Sequence, residues 1–297
     1  MTEAERAARR GYVVVTGAST GIGEACARRL DRMGFHVFAG VRKQADADAL
    51  KAKSSDRLTP VILDVTDGAS IAAAAKQVAA VVDDDGLAGL VNNAGISIAA
   101  PLEIVPIDQL RLQFEVNVIG QVAVTQAFLE LIRTARGRVV NIGSVGGRLA
   151  TPLLGPYDAS KFAMEAISDA LRVELGPWGI EVVLIEPGSI ATPIWDKGQA
   201  AADELEAQVS PRAHELYDQS IAPVRKVARE MAERGIAPDA VARVVARALT
   251  ARRPKTRYLV GRDARIQALV ASVVPDRPRD WLVRRMLGLG RTAGGVA

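Results

Sequence analysis

Tyr157 and Lys161 stand four residues apart in "GPYDASKFAMEA" (155–166), a stretch otherwise suited to a buried helix. On a helix that spacing puts both side chains on one face, about 5–6 Å apart at Cβ. A phenol with an ammonium beside it is a tunable acid, because the positive charge favours the phenolate. A lone Tyr-x-x-x-Lys is common as packing plus a surface charge, so the pair needs support from elsewhere in the chain. Ser144 supplies some. It lies in "NIGSVGG" directly after an apolar run, where its hydroxyl could hydrogen-bond a substrate oxygen and stabilise charge developing there. A second constellation, "TGASTGIG" (16–23), follows another apolar run and opens a helical pattern. Its glycines Gly17, Gly21 and Gly23 permit a tight turn and close backbone approach. The helix behind them would offer free amides to an anion such as a phosphate.

The elements that must position these residues alternate along the chain. Runs at 12–16, 36–41, 60–64, 87–93, 137–142, 180–186 and 257–261 are short, apolar and rich in β-branched residues, and read as buried strands. Amphipathic or Ala-rich segments near 21–33, 67–83, 108–133, 156–175 and 239–251 read as helices between them. Strand–helix alternation on this scale predicts an α/β fold: a doubly wound, Rossmann-like parallel sheet of about seven strands, covered on both faces. No repeat or low-complexity linker interrupts it, so residues 1–297 are expected to form one domain. Residues 195–236 form a polar, helix-prone insertion, read as a substrate lid, in which Val224, Val227, Ala228 and Met231 make a helical stripe. Residues 262–297 form a basic helical extension, with Ile266, Leu269, Val270, Val273 and Val274 on one stripe expected to dock on the body or on a second subunit.

Together the motifs resemble the short-chain dehydrogenase/reductase family, in its single-domain oxidoreductase branch. The resemblance covers roughly residues 11–261 and rests on "TGASTGIG", "DV" (64–65), "NNAG" (92–95), Asn117, Ser144, "YDASK" (157–161) and "PGSIAT" (187–192), in that order. It implies a nicotinamide cofactor held by Gly17, Ser19, Gly21, Ile22, Gly23, Asp64, Val65, Asn93, Ala94, Gly95, Tyr157, Lys161, Pro187, Gly188, Ile190 and Thr192. Within that set it assigns Asp64 to the adenine amino group, Asn93 to the adenosine ribose, Lys161 to the nicotinamide ribose and Thr192 to the carboxamide. Tyr157 becomes the general acid for carbonyl reduction or the general base for alcohol oxidation, with Ser144, Lys161 and Asn117 completing the catalytic set.

At the end of the second strand, where an NAD site carries a carboxylate, "FAGVRK" has Val41 followed by Arg42 and Lys43. A cationic pair there suits a 2′-phosphate, so NADP(H) is the expected cofactor and NAD(H) the alternative. The wall offered by "VGGRLATPLLG" (145–155) and by Ile194, Trp195, Leu205, Val209, Leu216, Tyr217 and Met231 is largely apolar. It fits a lipophilic ketone or secondary alcohol, and the fuller chain looks like the branch acting on steroids, retinoids and related lipids. A cofactor-sensing protein without turnover is the rival from another class; its expected mark, a lost tyrosine or lysine, is not found here.

Composition narrows the remaining classes. With 49% hydrophobic and 24% charged residues the chain is ordinary globular protein. No apolar run approaches the roughly 18 residues needed to span a bilayer, and the N-terminus does not read as a secretory signal. The single cysteine, Cys26, suits a cytoplasmic, reducing home and reads as a small core residue. The formal charge of +4 is uneven, since residues 252–297 carry eleven Lys+Arg against three Asp+Glu. "RDWLVRRMLGLGR" could therefore make peripheral contact with an anionic membrane through Trp281, Leu282, Met286 and Leu287. No nucleic-acid recognition motif accompanies the charge. His36 and His214 have no apparent Cys, His or acid cluster, so no metal is expected, and no histidine partners the loop serines as a hydrolase would require. A homo-oligomer, dimer or tetramer, is expected.

Overall fold

A computed structural model describes residues 10–207, 210–287 and 289. Val209, one of the apolar residues read as substrate wall, lies outside them. Seven parallel strands form one sheet in the order β3-β2-β1-β4-β5-β6-β7. They are β1 (Tyr12–Val15), β2 (His36–Val41), β3 (Leu58–Ile62), β4 (Gly89–Asn92), β5 (Arg138–Ile142), β6 (Glu181–Pro187) and β7 (Arg257–Val260). The strands are apolar on both sides because both sides are buried. Val13, Val15, Val37 and Val91 enter one core, and Val14, Phe38, Leu90 and Val139 the other. The first core is closed by α1 (Gly21–Arg32) and α9 (Pro238–Thr250), the second by α3 (Gly68–Val82) and α5 (Gly120–Ala135). Cys26 sits in the first core, where burial pushes its thiol pKa up and leaves it an inert packing residue.

Strand order reverses between β1 and β4, which both pair with their neighbours in parallel register. In such sheets the crevice beyond the carboxyl ends of the strands at the reversal is where ligands bind. Two further helices lead there: α4 (Ile107–Phe114), continued into α5 by a π-helical turn at Glu115–Ile119, and α6 (Gly155–Leu175). The spacing at 108–133 predicts one helix; the structure makes two, because the wider turn at 115–119 shifts the phase between them. A short helix α2 (Gln44–Lys51), absent from the sequence reading, buries only Ala47 and Leu50.

The insertion folds as α7 (Ile194–Glu206) and α8 (Pro211–Glu233), and the extension as α10 (Arg262–Val273) and α11 (Asp276–Met286). The α10 stripe, expected to dock on the body or on a second subunit, turns three of its five residues away from the body. Ala264 and Ala268 are the buried positions, while Ile266, Leu269 and Val273 are more than 60% exposed. Small residues let α10 lie close against Val145 and Leu259, and the larger ones are left to the outer face. No helix among the described residues is long and apolar enough to cross a membrane.

Candidate active site

The glycine loop is built for close approach. Gly17 and Gly21 adopt φ +62° and +60°, which L side chains avoid, and a Cβ at Gly17 would lie 2.8 Å from the Ala94 Cα. Gly23 does not line the crevice; it lets the first turn of α1 pass against the Gly17 carbonyl and the Asn93 amide. Thr20 precedes α1 in extended conformation with no side-chain cap, so the first-turn amides keep their capacity for an anion. Thr16, which sequence reading passed over, anchors the loop: its Oγ1 accepts from the amides of Asn93 (2.9 Å) and Ala94 (3.0 Å). Asn93 Nδ2 donates back to the carbonyls of Thr16 (2.9 Å) and Gly17 (3.1 Å), which fixes β4 to the loop.

Beyond β2, Arg42 lines the crevice, whereas Lys43 stands outside it as the residue flanking α2. Burial alone would raise the Asp64 pKa, yet bonds from the Thr66 amide and hydroxyl and the charge of Arg42 hold it below the usual range. Both Thr66 bonds fall on Asp64 Oδ1, at 2.9 and 2.7 Å.

Ser144 follows β5 and accepts from the Gly146 amide (3.1 Å). Its hydroxyl hydrogen-bonds the Tyr157 phenol. Lys161, 6% exposed, donates to the Ile142 carbonyl (2.9 Å), and its Nζ lies 5.7 Å from the centre of the Tyr157 ring. Burial pushes the tyrosine up to about 12, against the Ser144 bond, and the charge of Asp158 adds to the rise. The lysine is lowered to about 8 by its own burial. Desolvation dominates at the tyrosine, which therefore holds its proton through neutral pH. Asn117 lies in the π-helical turn and does not line the crevice. Its Nδ2 donates to Ile96 O (3.0 Å) and Ser160 Oγ (3.1 Å), and its Oδ1 accepts from Ile96 N (2.9 Å). Ser160 in turn donates to Tyr157 O (2.6 Å), so Asn117 ties the loop after β4 to the tyrosine's helix.

Pro187 and Gly188 close β6, and a Cβ on Gly188 would collide with the Asp263 carboxylate, which accepts from Ser189 N (2.6 Å). Asp263 lies 74 residues along the chain, and no local signal marks it. One cavity of about 400 Å³ joins Ser19, Gly21, Ile22, Val65, Gly95, Ile190 and Thr192 at one end to Ser144, Tyr157 and Lys161. It continues to an apolar wall of Ile96, Leu149, Val224, Val227 and Met231. Gln267 and Leu287 of the extension also line it, the latter read from the sequence as a membrane contact. Leu216 is instead 44% exposed, and Tyr217 donates to Glu103, latching α8 to the loop after β4.

Around His214, where no Cys, His or acid cluster was expected, the structure gathers two carboxylates. One turn along α8, Asp218 Oδ1 lies 3.1 Å from the ring, and Glu206 of α7 joins them within 4.8 Å. Helix-to-helix packing creates that group, and Glu206 is already engaged with Arg225.

The family described as short chain dehydrogenase matches residues 11–203. An NADPH-dependent 3-dehydrocapnine reductase of Ornithobacterium rhinotracheale is 38% identical over 274 residues, covering 91% of this chain and 94% of that protein. Retinol dehydrogenase 16 of Homo sapiens is 40% identical over 269 residues, covering 89% and 84% respectively. Among solved structures, a short-chain dehydrogenase from Streptomyces avermitilis superposes with a TM-score of 0.74 at 28% identity, covering 95% of this chain and 98% of its own.

Proposed function

The chain belongs to the short-chain dehydrogenase family and is an NAD(P)-dependent oxidoreductase; within that class we propose an NADP(H)-preferring enzyme that interconverts a lipophilic ketone or aldehyde with its alcohol. The observation that carries this reading is the continuity of the cavity, from the glycine loop past Tyr157 to the apolar wall. The residues at its cofactor end fit a dinucleotide: an uncapped helix start, glycines whose missing Cβ atoms leave room, and a guanidinium beside the end of β2. Bound there, the nicotinamide supplies or accepts the hydride. Ser144 holds the substrate oxygen, Tyr157 gives its proton to that oxygen in reduction, and Lys161 sets the local charge.

Arg42 is the proposed reader of the 2′-phosphate. Charge-assisted hydrogen bonds are worth about 1.5–3 kcal/mol, so Arg42→Asp should weaken NADPH about tenfold or more and leave NADH nearly unchanged. Paired fluorescence titrations measure both; an unaltered NADPH/NADH ratio would refute the assignment. The names of the relatives, a reductase using NADPH and a retinol dehydrogenase, support the cofactor and the lipophilic class.

The proposal includes a cytoplasmic protein that meets anionic membranes at its periphery. Ile266, Leu269 and Val273 of α10 and Trp281 and Met286 of α11 are exposed beside Arg265, Arg284 and Arg285, and Leu287 behind them reaches the cavity wall. Wild-type protein should float with phosphatidylserine vesicles and Trp281→Glu should float less; recovery of the wild type only as free protein would remove this part. Exposed Ile119, Phe162 and Val173 support a homo-oligomer.

A further inference from the structure

Behind the catalytic helix lies a charged group that the reaction itself does not use. Glu186, the residue before Pro187, is fully buried, and both its oxygens accept from Arg148, which follows Ser144 by four residues. Glu165 sits on α6 one turn beyond Lys161. Its Oε2 accepts from Arg257 of β7, through Nε at 3.1 Å and Nη2 at 2.9 Å. Arg257 also donates to Asp169 (2.8 Å), which pairs with Arg172 (2.5 Å). Glu165 Oε1 is buried and, in the ionised form, has no donor, and the Glu186 carboxylate interacts with Glu165 through its charge and a side-chain hydrogen bond. Two carboxylates cannot both stay charged at such a contact, and a single proton between them turns repulsion into a hydrogen bond.

We propose that Glu165 and Glu186 share one proton and, with Arg148 and Arg257, form a buried clamp that positions the Tyr157 helix against the Ser144 loop and the Pro187–Gly188 turn. Four chain segments meet there: the loop after β5 through Arg148, β6 through Glu186, α6 through Glu165, and β7 through Arg257. Packing leaves the clamp no slack, since a Cβ on Gly147 would lie 2.9 Å from the Lys161 carbonyl and 3.2 Å from Glu165 Cγ. Burial and the Glu186 charge push Glu165 up to about 7, against the pull of Arg257. The sign follows. The folded state holds this proton at pH values where the unfolded chain, with an ordinary glutamate, has released it. Its contribution to stability is therefore complete below the unfolded pKa and lost as pH rises toward about 7.

These are positioning residues. That role rests on the oxidoreductase reading, whereas the shared proton does not, so the test needs no substrate. Glu165→Gln replaces the proton with an amide donor of the same shape. Infrared difference spectra of wild type minus Glu165→Gln near pH 6 should contain a protonated-carboxyl band that disappears near pH 8. Asp158, also raised to about 7 by burial, is common to both proteins and cancels. From about pH 5.5 to 8 the wild-type Tm should fall roughly 2–4 °C further than that of the variant. Glu165→Ala should lose NADPH affinity at least threefold, and Glu165→Gln should restore it. No carboxyl band, with parallel Tm curves, would overturn the shared proton; unchanged NADPH affinity in Glu165→Ala would overturn the clamp.

Discussion

Tyr157→Phe should bind NADPH as the wild type does and lose turnover by about 10²–10⁴-fold, the usual share of a general acid or base. The substitution removes one oxygen and leaves the ring in place beside Lys161, so the walls of the cavity are unchanged. What disappears is the proton that Tyr157 carries through neutrality and the hydrogen bond it makes with Ser144. Ser144 can still polarise a carbonyl, and the hydride donor is unaffected, which is why cofactor titration and turnover should part company. Rapid-mixing absorbance of NADPH measures both in one preparation. Residual turnover within tenfold of the wild type would show that another group delivers the proton.

Gly23→Ala has the second large effect, and it works through the backbone. Its methyl would sit well inside contact with the Gly17 carbonyl oxygen and 2.5 Å from Asn93 Nδ2. Neither neighbour can swing away: the first is main chain, and the second holds the Thr16 and Gly17 carbonyls. Relief requires α1 to shift away from the loop, distorting the glycine turn and loosening β1 from β4. Overpacking of this kind costs about 1–3 kcal/mol, and more where backbone must move. We expect the upper end of that range in urea denaturation and no measurable NADPH binding in the fraction that folds. Gly68→Ala is the control, since nothing lies within 4 Å of a Cβ there. Equal stability of the two variants would contradict the close-approach account.

The sheet was legible because its strands are buried on both faces. Val37, Phe38, Ala39 and Val41 leave no polar alternation to mislead, and β2 occupies 36–41 as read. At β3 the strand runs Leu58–Ile62, two residues earlier than the apolar pattern suggests. Pro60, read as a start, is tolerated inside because β3 is an edge strand. The motif residues were legible as types in order, but their partners were not. Thr16 on Asn93, Asp263 on Ser189 and Arg257 on Glu165 are separated by 77, 74 and 92 residues. Periodicity carries no information at that range. The π-helical turn that aims Asn117 escaped for a different reason: a single wide turn changes helical phase without changing composition. The burial that raises Tyr157 and lowers Lys161 was not legible in the sequence, because desolvation depends on what surrounds the pair rather than on their four-residue spacing.

The most direct test of the central claim is a single-turnover experiment. Purified protein loaded with NADPH is mixed with lipophilic carbonyl compounds of steroid, retinoid and long-chain type, and loss of NADPH absorbance is followed alongside product. At least one compound should be reduced stoichiometrically by the wild type and not by Tyr157→Phe, and NADH should support the same reaction more weakly. Tight NADPH binding with no consumption by any compound would contradict the claim and leave a protein that binds the cofactor without turning it over.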